Sequence, residues 1–472
     1  MKRGPDSLPG IPDYNFEKNC SQFAINLLIY LRYHLLQGLQ AGQAISNLLT
    51  SRLAMLSRLK KIYAEFPPLF WIIVVTLFID SIGSTLLFPF FALYITQKFG
   101  VGMTEAGILL GMSSLFGLIG SVIGGALTDK FGRRQLILFG LVFSALSSLL
   151  FGLASDVKVL YILVVLVGLL SRVSTPAHDA MMADILPEDK RQEAFGVTRV
   201  VFNYAWIFGT ALGGLIAARS FVALFVADAV LSLTVAIILY RFLPETKPAA
   251  QMEAKKGESF LTTVAGYRIP LRDLAYMGFT LAGMIVLIVY QQQYGALAVY
   301  LRDVHHIGSK SYGLMLSIAG LEVVLFQIWI SRTIRKYPPF LIMMLGALFF
   351  TVGFAMIGFV RGFGFFLLSV IIATVGEMIM FPTNKALAIN FAPAEMRGRY
   401  MAVYDLGWTI PATFGPAAAG LILDNYNPNL LWYIGGILCA ISAISFYVLH
   451  LWLGSQQRFV PAPVEQEVST TA

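Results

Sequence analysis

The stretch Gly125-Ala126-Leu127-Thr128-Asp129-Lys130-Phe131-Gly132-Arg133-Arg134 joins two uncharged apolar runs. Residues 106–128 before it and 136–154 after it carry no Asp, Glu, Lys or Arg. Runs of roughly 20 apolar residues cross a bilayer as helices. The segment between them must therefore stop one membrane helix, reverse, and start the next within a few residues. Gly132 supplies the backbone freedom for that reversal. Lys130, Arg133 and Arg134 place the turn in the cytoplasm, because basic residues are retained on that side. Asp129 is a carboxylate at the membrane edge among three cations, so it is expected to be paired.

The same alternation extends along the whole chain. Of 472 residues, 57% are hydrophobic and only 13% charged, with a mean hydropathy of +0.73. Soluble domains carry about 25% charged residues. The deficit falls in long uncharged runs, and no strand-like alternation is evident, which argues for helices and against a barrel. The net charge of +8 does not point to nucleic acid, since the basic residues lie mostly between apolar runs. Cys20 and Cys439 are far apart, and neither they nor the five His have metal-ligand spacing, so no metal or cofactor is expected.

The reading is an all-α membrane protein with 12 transmembrane helices in two six-helix bundles and both termini cytoplasmic. Apolar segments fall near 68–95, 105–128, 136–154, 158–181, 195–218 and 220–242, then 274–301, 310–331, 339–360, 363–388, 399–423 and 429–453. Residues 1–66 form an N-terminal extension, 67–243 the first bundle, 244–273 a polar linker, 274–455 the second bundle and 456–472 a tail. The extension reads as a cytoplasmic, membrane-surface helical segment, with initiation at Met55 as the alternative. With both termini inside, 25 Lys and Arg lie in inner segments and six in outer loops. That excess orients the chain in a cell (cytoplasmic) membrane.

The halves align without a gap at an offset of 206. Residues 208–216, Phe-Gly-Thr-Ala-Leu-Gly-Gly-Leu-Ile, face 414–422, Phe-Gly-Pro-Ala-Ala-Ala-Gly-Leu-Ile. The same offset pairs Tyr94 with Tyr300, Gly107 with Gly313, Pro176 with Pro382 and Arg191 with Arg397. Six helices are an even number, so the halves are expected to be parallel repeats about an axis along the membrane normal. The basic turn has changed in the second copy, where Arg335 replaces Asp129 and Pro338 replaces Gly132.

A charge in mid-membrane costs about 2.5–3.5 kcal/mol or more, so each one needs a reason. Asp80 in helix 1 and Arg172 in helix 4 both sit roughly 15 Å deep, at about 1.5 Å per residue. They are expected to approach each other, and a pair that opens during transport would free Asp80 to take a proton. A structural ion pair is the alternative. Glu377 in helix 10 is the next protonation candidate, with a helix-packing hydrogen bond as the alternative, followed by Glu322 and Asp228. Asp405 and Arg199 are related by the offset and read as gate or interface groups. Gln291, Gln292 and Gln293 are amides in a spanning segment, suited to a polar substrate or a neighbouring helix.

The pattern Gly125-x-x-x-Asp129-Lys130-x-Gly132-Arg133-Arg134 resembles the loop between helices 2 and 3 of the major facilitator superfamily of secondary transporters. The resemblance covers roughly 68–455. It implies that Asp129 and Arg133 pair with Asp184 at the inner end of helix 4, and that the turn docks on helix 11. Gly209-Thr-Ala-Leu-Gly213-Gly214 is similar to the helix-5 signature of drug-proton antiporters, with Thr210 where Pro is usual. Gly415-Pro416 and Gly420 repeat it in helix 11. Arg172 lies two turns inward of the position that the family's helix-4 Arg would occupy.

These readings imply a monomeric, proton-coupled exporter of small amphipathic compounds, with the bilayer, protons and a small molecule as its partners. Uptake of a sugar or other small polar solute is the alternative, suggested by the glutamines and by Pro244-Glu245-Thr246. A membrane enzyme or sensor is a further alternative, but the chain has no phosphate-binding loop, His-x-x-x-His or Gly-x-Ser-x-Gly.

Overall fold

Long apolar runs bounded by Gly, Pro and charge leave the backbone one way to satisfy its polar groups in lipid, which is to coil on itself. The computed structural model describes residues 63, 65–246, 267–393 and 396–454. The expectations for most of the 1–66 extension, much of the linker and the tail lie outside these residues. So do those for the environments of Gly125 and Asp129.

Among the described residues, twelve helical spans run Pro68–Phe99, Met103–Gly124, Arg133–Leu153, Val157–Met182, Glu193–Ala217, Phe221–Phe242, Leu274–Tyr294, Ser309–Ile334, Pro339–Ile357, Phe363–Phe391, Arg397–Asn425 and Asn429–Leu453. They are numbered spans 1 to 12 below. Large apolar side chains cover their outer faces: Val122, Ile162, Ile237 and Ile444 are 71%, 63%, 62% and 63% exposed. Such a surface is matched by acyl chains rather than water. The chain is a multi-pass membrane protein. From Pro68 onward the spans belong to one unit, separate from the segment that ends at Pro67.

Neighbour relations repeat when six is added to each span number. Span 1 packs on 5 and 6, span 2 on 4, and span 3 on 6; likewise span 7 packs on 11 and 12, span 8 on 10, and span 9 on 12. The extensive contacts between halves, 2 with 11 and 5 with 8, exchange under the same operation. The 206-residue offset holds for individual contacts as well. Tyr94 donates to the Phe151 carbonyl, and the Tyr300 hydroxyl lies 3.4 Å from that of Ile357. Gly140 faces Ser174 as Gly346 faces Met380, and Gly209 faces the Ile82 carbonyl as Gly415 faces that of Ile288. Short 3-10 turns lie at Phe88–Phe90 within span 1 and at Gln291–Tyr294 at the end of span 7, meeting at the offset at Phe88 and Tyr294.

The ends of the spans away from the linker are drawn together across the halves. Asp424 of span 11 accepts from the first-turn amides of span 2, Met103 N at 2.9 Å and Thr104 N at 2.7 Å. Free amides at a helix start make that end a favourable place for a carboxylate. Arg302 donates to Thr96 at 2.8 Å, and Ser317 in span 8 to the Ile207 carbonyl of span 5 at 2.9 Å. Gly107 lies against Pro416, and Gly313 against Thr210 and Gly214, so the missing side chains let these backbones meet.

Candidate functional site

At the linker face the basic turn is held from three directions. Gly132 adopts φ +92°, which ends span 2's helix and starts span 3 without an intervening loop. Arg133 is 4% exposed, and its Nε lies 2.9 Å from Asp184 Oδ2. That contact is an ion pair by distance, without the alignment of a hydrogen bond. Arg134 donates to the Tyr240 carbonyl at 2.7 Å and lies over the Tyr240 ring. Lys130 is exposed and lies over the Phe131 ring.

Glu245, which follows span 6, accepts from Arg133 N at 2.9 Å and Arg134 N at 3.2 Å. Its carboxylate thus caps the N-terminus of span 3. Thr246 donates to Asp184 at 3.1 Å. The Pro-Glu-Thr run therefore clamps the turn, a role that sequence reading misses because the partners are 112 residues apart in the chain. A carboxylate N-cap contributes about 0.5–2 kcal/mol. Glu245→Ala is expected to speed hydrogen exchange of the Arg133 and Arg134 amides about 2- to 30-fold. Unchanged protection at these two amides would remove the clamp.

Towards the middle of the helical unit, aromatic rings from both halves converge. Tyr290 and Tyr294 share a 2.5 Å hydroxyl contact. Trp206 of span 5 packs on Tyr294 at 5.3 Å, Phe381 of span 10 on Tyr290 at 4.9 Å, and Trp408 of span 11 on Phe381 at 5.0 Å. Glu377 sits behind this wall, within hydrogen-bond reach of Tyr290 and in electrostatic range of Glu322 and Arg199. Glu322 Oε2 is buried without a hydrogen-bond partner. Gln292 is 4% exposed, donates to the Ile288 carbonyl at 2.7 Å, and leaves Oε1 unpartnered. Tyr294, Gln291 and Trp408 face a cavity of about 760 Å³, whose other wall is rich in hydroxyls: Ser84, Ser113, Ser144, Ser147 and Ser171, among others.

The expected approach of Asp80 to Arg172 is corrected by the structure. Among the described residues no ion pair joins them. Arg172, at the start of the 3-10 turn Arg172–Ser174, faces span 2 instead: its side chain lies against Gly117, where a missing side chain leaves room, and in the cavity wall. Asp80 instead lies in electrostatic range of Asp228 in span 6. Asp228 is 4% exposed, touches Gly83, and accepts from Ser148 of span 3.

The other predicted positions are placed as follows. Asp405 is exposed on span 11, in electrostatic range of Lys385. Gly213 faces Phe90, Gly214 faces Gly313, Gly415 faces Gln292 and Gly420 faces Thr104, so the glycine motifs lie at helix crossings. Pro416 lines the cavity. The sequence alone does not single out Tyr294, Phe381 or Trp408. The i, i+4 spacing of Tyr290 and Tyr294 is the one signal that could have found part of the cluster.

Comparison with known proteins supplies a second line of observation. The family model for the Major Facilitator Superfamily matches residues 73–412 and 274–470. A protein of Planococcus maritimus named as a Na(+), Li(+), K(+)/H(+) antiporter is 27% identical, over 78% of this chain and 91% of its own. The quinolone resistance protein NorA of Staphylococcus aureus is 22% identical, over 75% of this chain and 89% of its own. Among solved structures, a POT family transporter in complex with a thioalcohol-conjugated peptide superposes with a TM-score of 0.70. It is 15% identical and covers 83% of this chain and 97% of its own, a likeness of fold alone.

Proposed function

This chain belongs to the major facilitator superfamily and is a transporter rather than an enzyme, and from that premise we propose that it exports small amphipathic organic cations in exchange for protons. The aromatic wall of Trp206, Tyr290, Tyr294, Phe381 and Trp408 in front of Glu377 carries this reading. Aromatic faces attract desolvated cations by about 0.5–2 kcal/mol each. A carboxylate behind them can hold either the cation or a proton, but not both at full strength. That competition is the elementary requirement of an antiporter.

In the cycle, the two halves rock about the aromatic site. The structure's closed far ends correspond to the state that loads from the linker face, which this reading places in the cytoplasm. Protons arriving from the far side displace the cargo from Glu377. Arg199, contributed by the other half, discourages a second cation. NorA's printed name as a resistance protein agrees with cargo of this class.

A second reading has its own observation. Asp80, Asp228 and the Ser148 hydroxyl place hard oxygen donors together within the first half. Such donors suit alkali cations, and the Planococcus relative is named for their exchange. Polar-solute uptake keeps the support of the hydroxyl-lined cavity wall. Proteoliposomes with an imposed pH gradient separate the three. Gradient-driven accumulation of tetraphenylphosphonium supports the first reading. Proton release on adding sodium, without tetraphenylphosphonium movement, replaces it with the second, and accumulation of xylose alone replaces it with the third.

A further inference from the structure

The internal repeat exposes a pocket that one half fills and the other leaves open. In the first half, Lys98 reaches over Tyr94 and donates to the Gly152 carbonyl at 2.8 Å. At the offset of 206, Lys98 becomes Val304, Phe99 becomes His305, Gly152 becomes Gly358 and Ser155 becomes Arg361. The short Val304 cannot fill the space that Lys98 fills. A pocket of about 480 Å³ remains, lined by Tyr300, His305, Gly358, Phe359, Arg361, Asn429 and Tyr433, with Val304 and Val360. It lies on the face away from the linker, at the ends of spans 9, 10 and 12.

The pocket's chemistry has one sign. Its lining holds two basic side chains and no acid. The nearby Asp303 is held by its neighbour Arg302, at 2.5 and 2.8 Å. No ion pair joins Arg361 to a carboxylate among the described residues. Tyr300 gives its one proton to Asn429 Oδ1 at 2.7 Å, which leaves the Asn429 amide as a donor. His305 Nε2, 3.1 Å from the Tyr300 oxygen, must then donate to it. Nδ1 of His305 is an acceptor while the ring is neutral and becomes a second donor when the ring is protonated. Phe359 at the rim is 74% exposed and packs on Tyr433 at 4.5 Å. Tyrosine rings such as that of Tyr433 are enriched at the headgroup level of a bilayer.

We infer that this pocket binds a phosphate group, through Arg361, the Asn429 amide and the protonated ring of His305. The exposed aromatic rim favours the phosphate of a lipid headgroup over a free anion. Binding is linked to proton uptake, because the empty pocket disfavours the His305 cation. Burial first, then the charges of Arg361 and His306, hold its pKa below the ordinary histidine value. Tyr300 and Tyr433 are the other titratable groups that face the ring's surroundings. A bound phosphate reverses the sign of the local field, so the pKa of His305 rises and affinity increases as pH falls.

The test uses the full chain in detergent with 15N-labelled histidine, the His305 signal being assigned by its loss in His305→Gln. Dihexanoyl phosphatidylglycerol is one probe and inorganic phosphate the other. Saturation is expected to raise the His305 midpoint by about one pH unit. Arg361→Gln is expected to abolish that response while the His450 signal stays unchanged, reporting an intact fold. A response to the lipid alone identifies the source as a headgroup, and a response to inorganic phosphate alone identifies a soluble anion. A midpoint that neither probe moves, or a response that survives Arg361→Gln, overturns the inference.

Discussion

Glu377→Gln is expected to collapse uphill accumulation while leaving downhill exchange of cargo in place. A gradient of two pH units supplies about 2.7 kcal/mol per proton, enough to concentrate a singly coupled solute about 100-fold. If Glu377 is the group that alternates between proton and cargo, Gln removes the alternation and the accumulation ratio falls to about one. The amide keeps the carboxyl's volume and can still meet the Tyr290 hydroxyl, so the aromatic wall should persist. The measurement is tetraphenylphosphonium accumulation in proteoliposomes with and without the gradient, beside exchange at equal pH. Retained accumulation would move the proton site elsewhere, and Asp228→Asn is then the next variant. Loss of both modes, with a lowered thermal midpoint, would instead mark Glu377 as a packing residue.

Gly313→Val is the second substitution with a large expected effect. A Cβ at Gly313 would lie 2.8 Å from Gly214 Cα, closer than real side chains come to a backbone. Neither backbone can yield without moving a whole span. Overpacking of this kind costs about 1–3 kcal/mol. Here the cost falls on one state, the one with closed far ends. A bias of about 1.4 kcal/mol shifts the balance between states tenfold. Transport is expected to fall about tenfold or more. In a background with Cys20 and Cys439 replaced by Ser, a Ser309→Cys probe at this crossing should react faster with an impermeant maleimide. Gly107→Val, its counterpart against Pro416 in the other half-to-half crossing, should behave alike. Unchanged transport and unchanged labelling would mean that these crossings do not open during the cycle.

The parts of the site that the sequence revealed, and those it hid, differ in the range of the interaction. The turn at Gly132 is legible because a helix stop, a reversal and a basic patch are local needs met by neighbours in the chain. Asp184 could be named through the family resemblance, and it does lie beside Arg133. Glu245 could not, since nothing near it in sequence shows that its carboxylate ends over the first turn of span 3. Depth in the membrane also follows from counting, which is why Asp80 and Arg172 could be assigned one level. Rotation about the helix axis does not follow from counting. Span 4 turns Arg172 towards Gly117 of span 2, and Asp80 has Asp228 of span 6 rather than Arg172 for its neighbour.

By itself, then, the sequence determined twelve helices, their pairing into two related sets, and the turn that separates spans 2 and 3. Each of these depends on how far a run of residues stays apolar, or on a repeat spacing, and both are properties of the chain read along one dimension. Only the tertiary structure decided that Trp206, Tyr290, Tyr294, Phe381 and Trp408 gather in front of Glu377, and that Val304 leaves open a space its counterpart Lys98 fills. Those outcomes depend on which face each helix turns to its neighbours. That choice is made by close packing among spans distant in sequence, where one missing side chain or one tightened turn redirects everything that touches it.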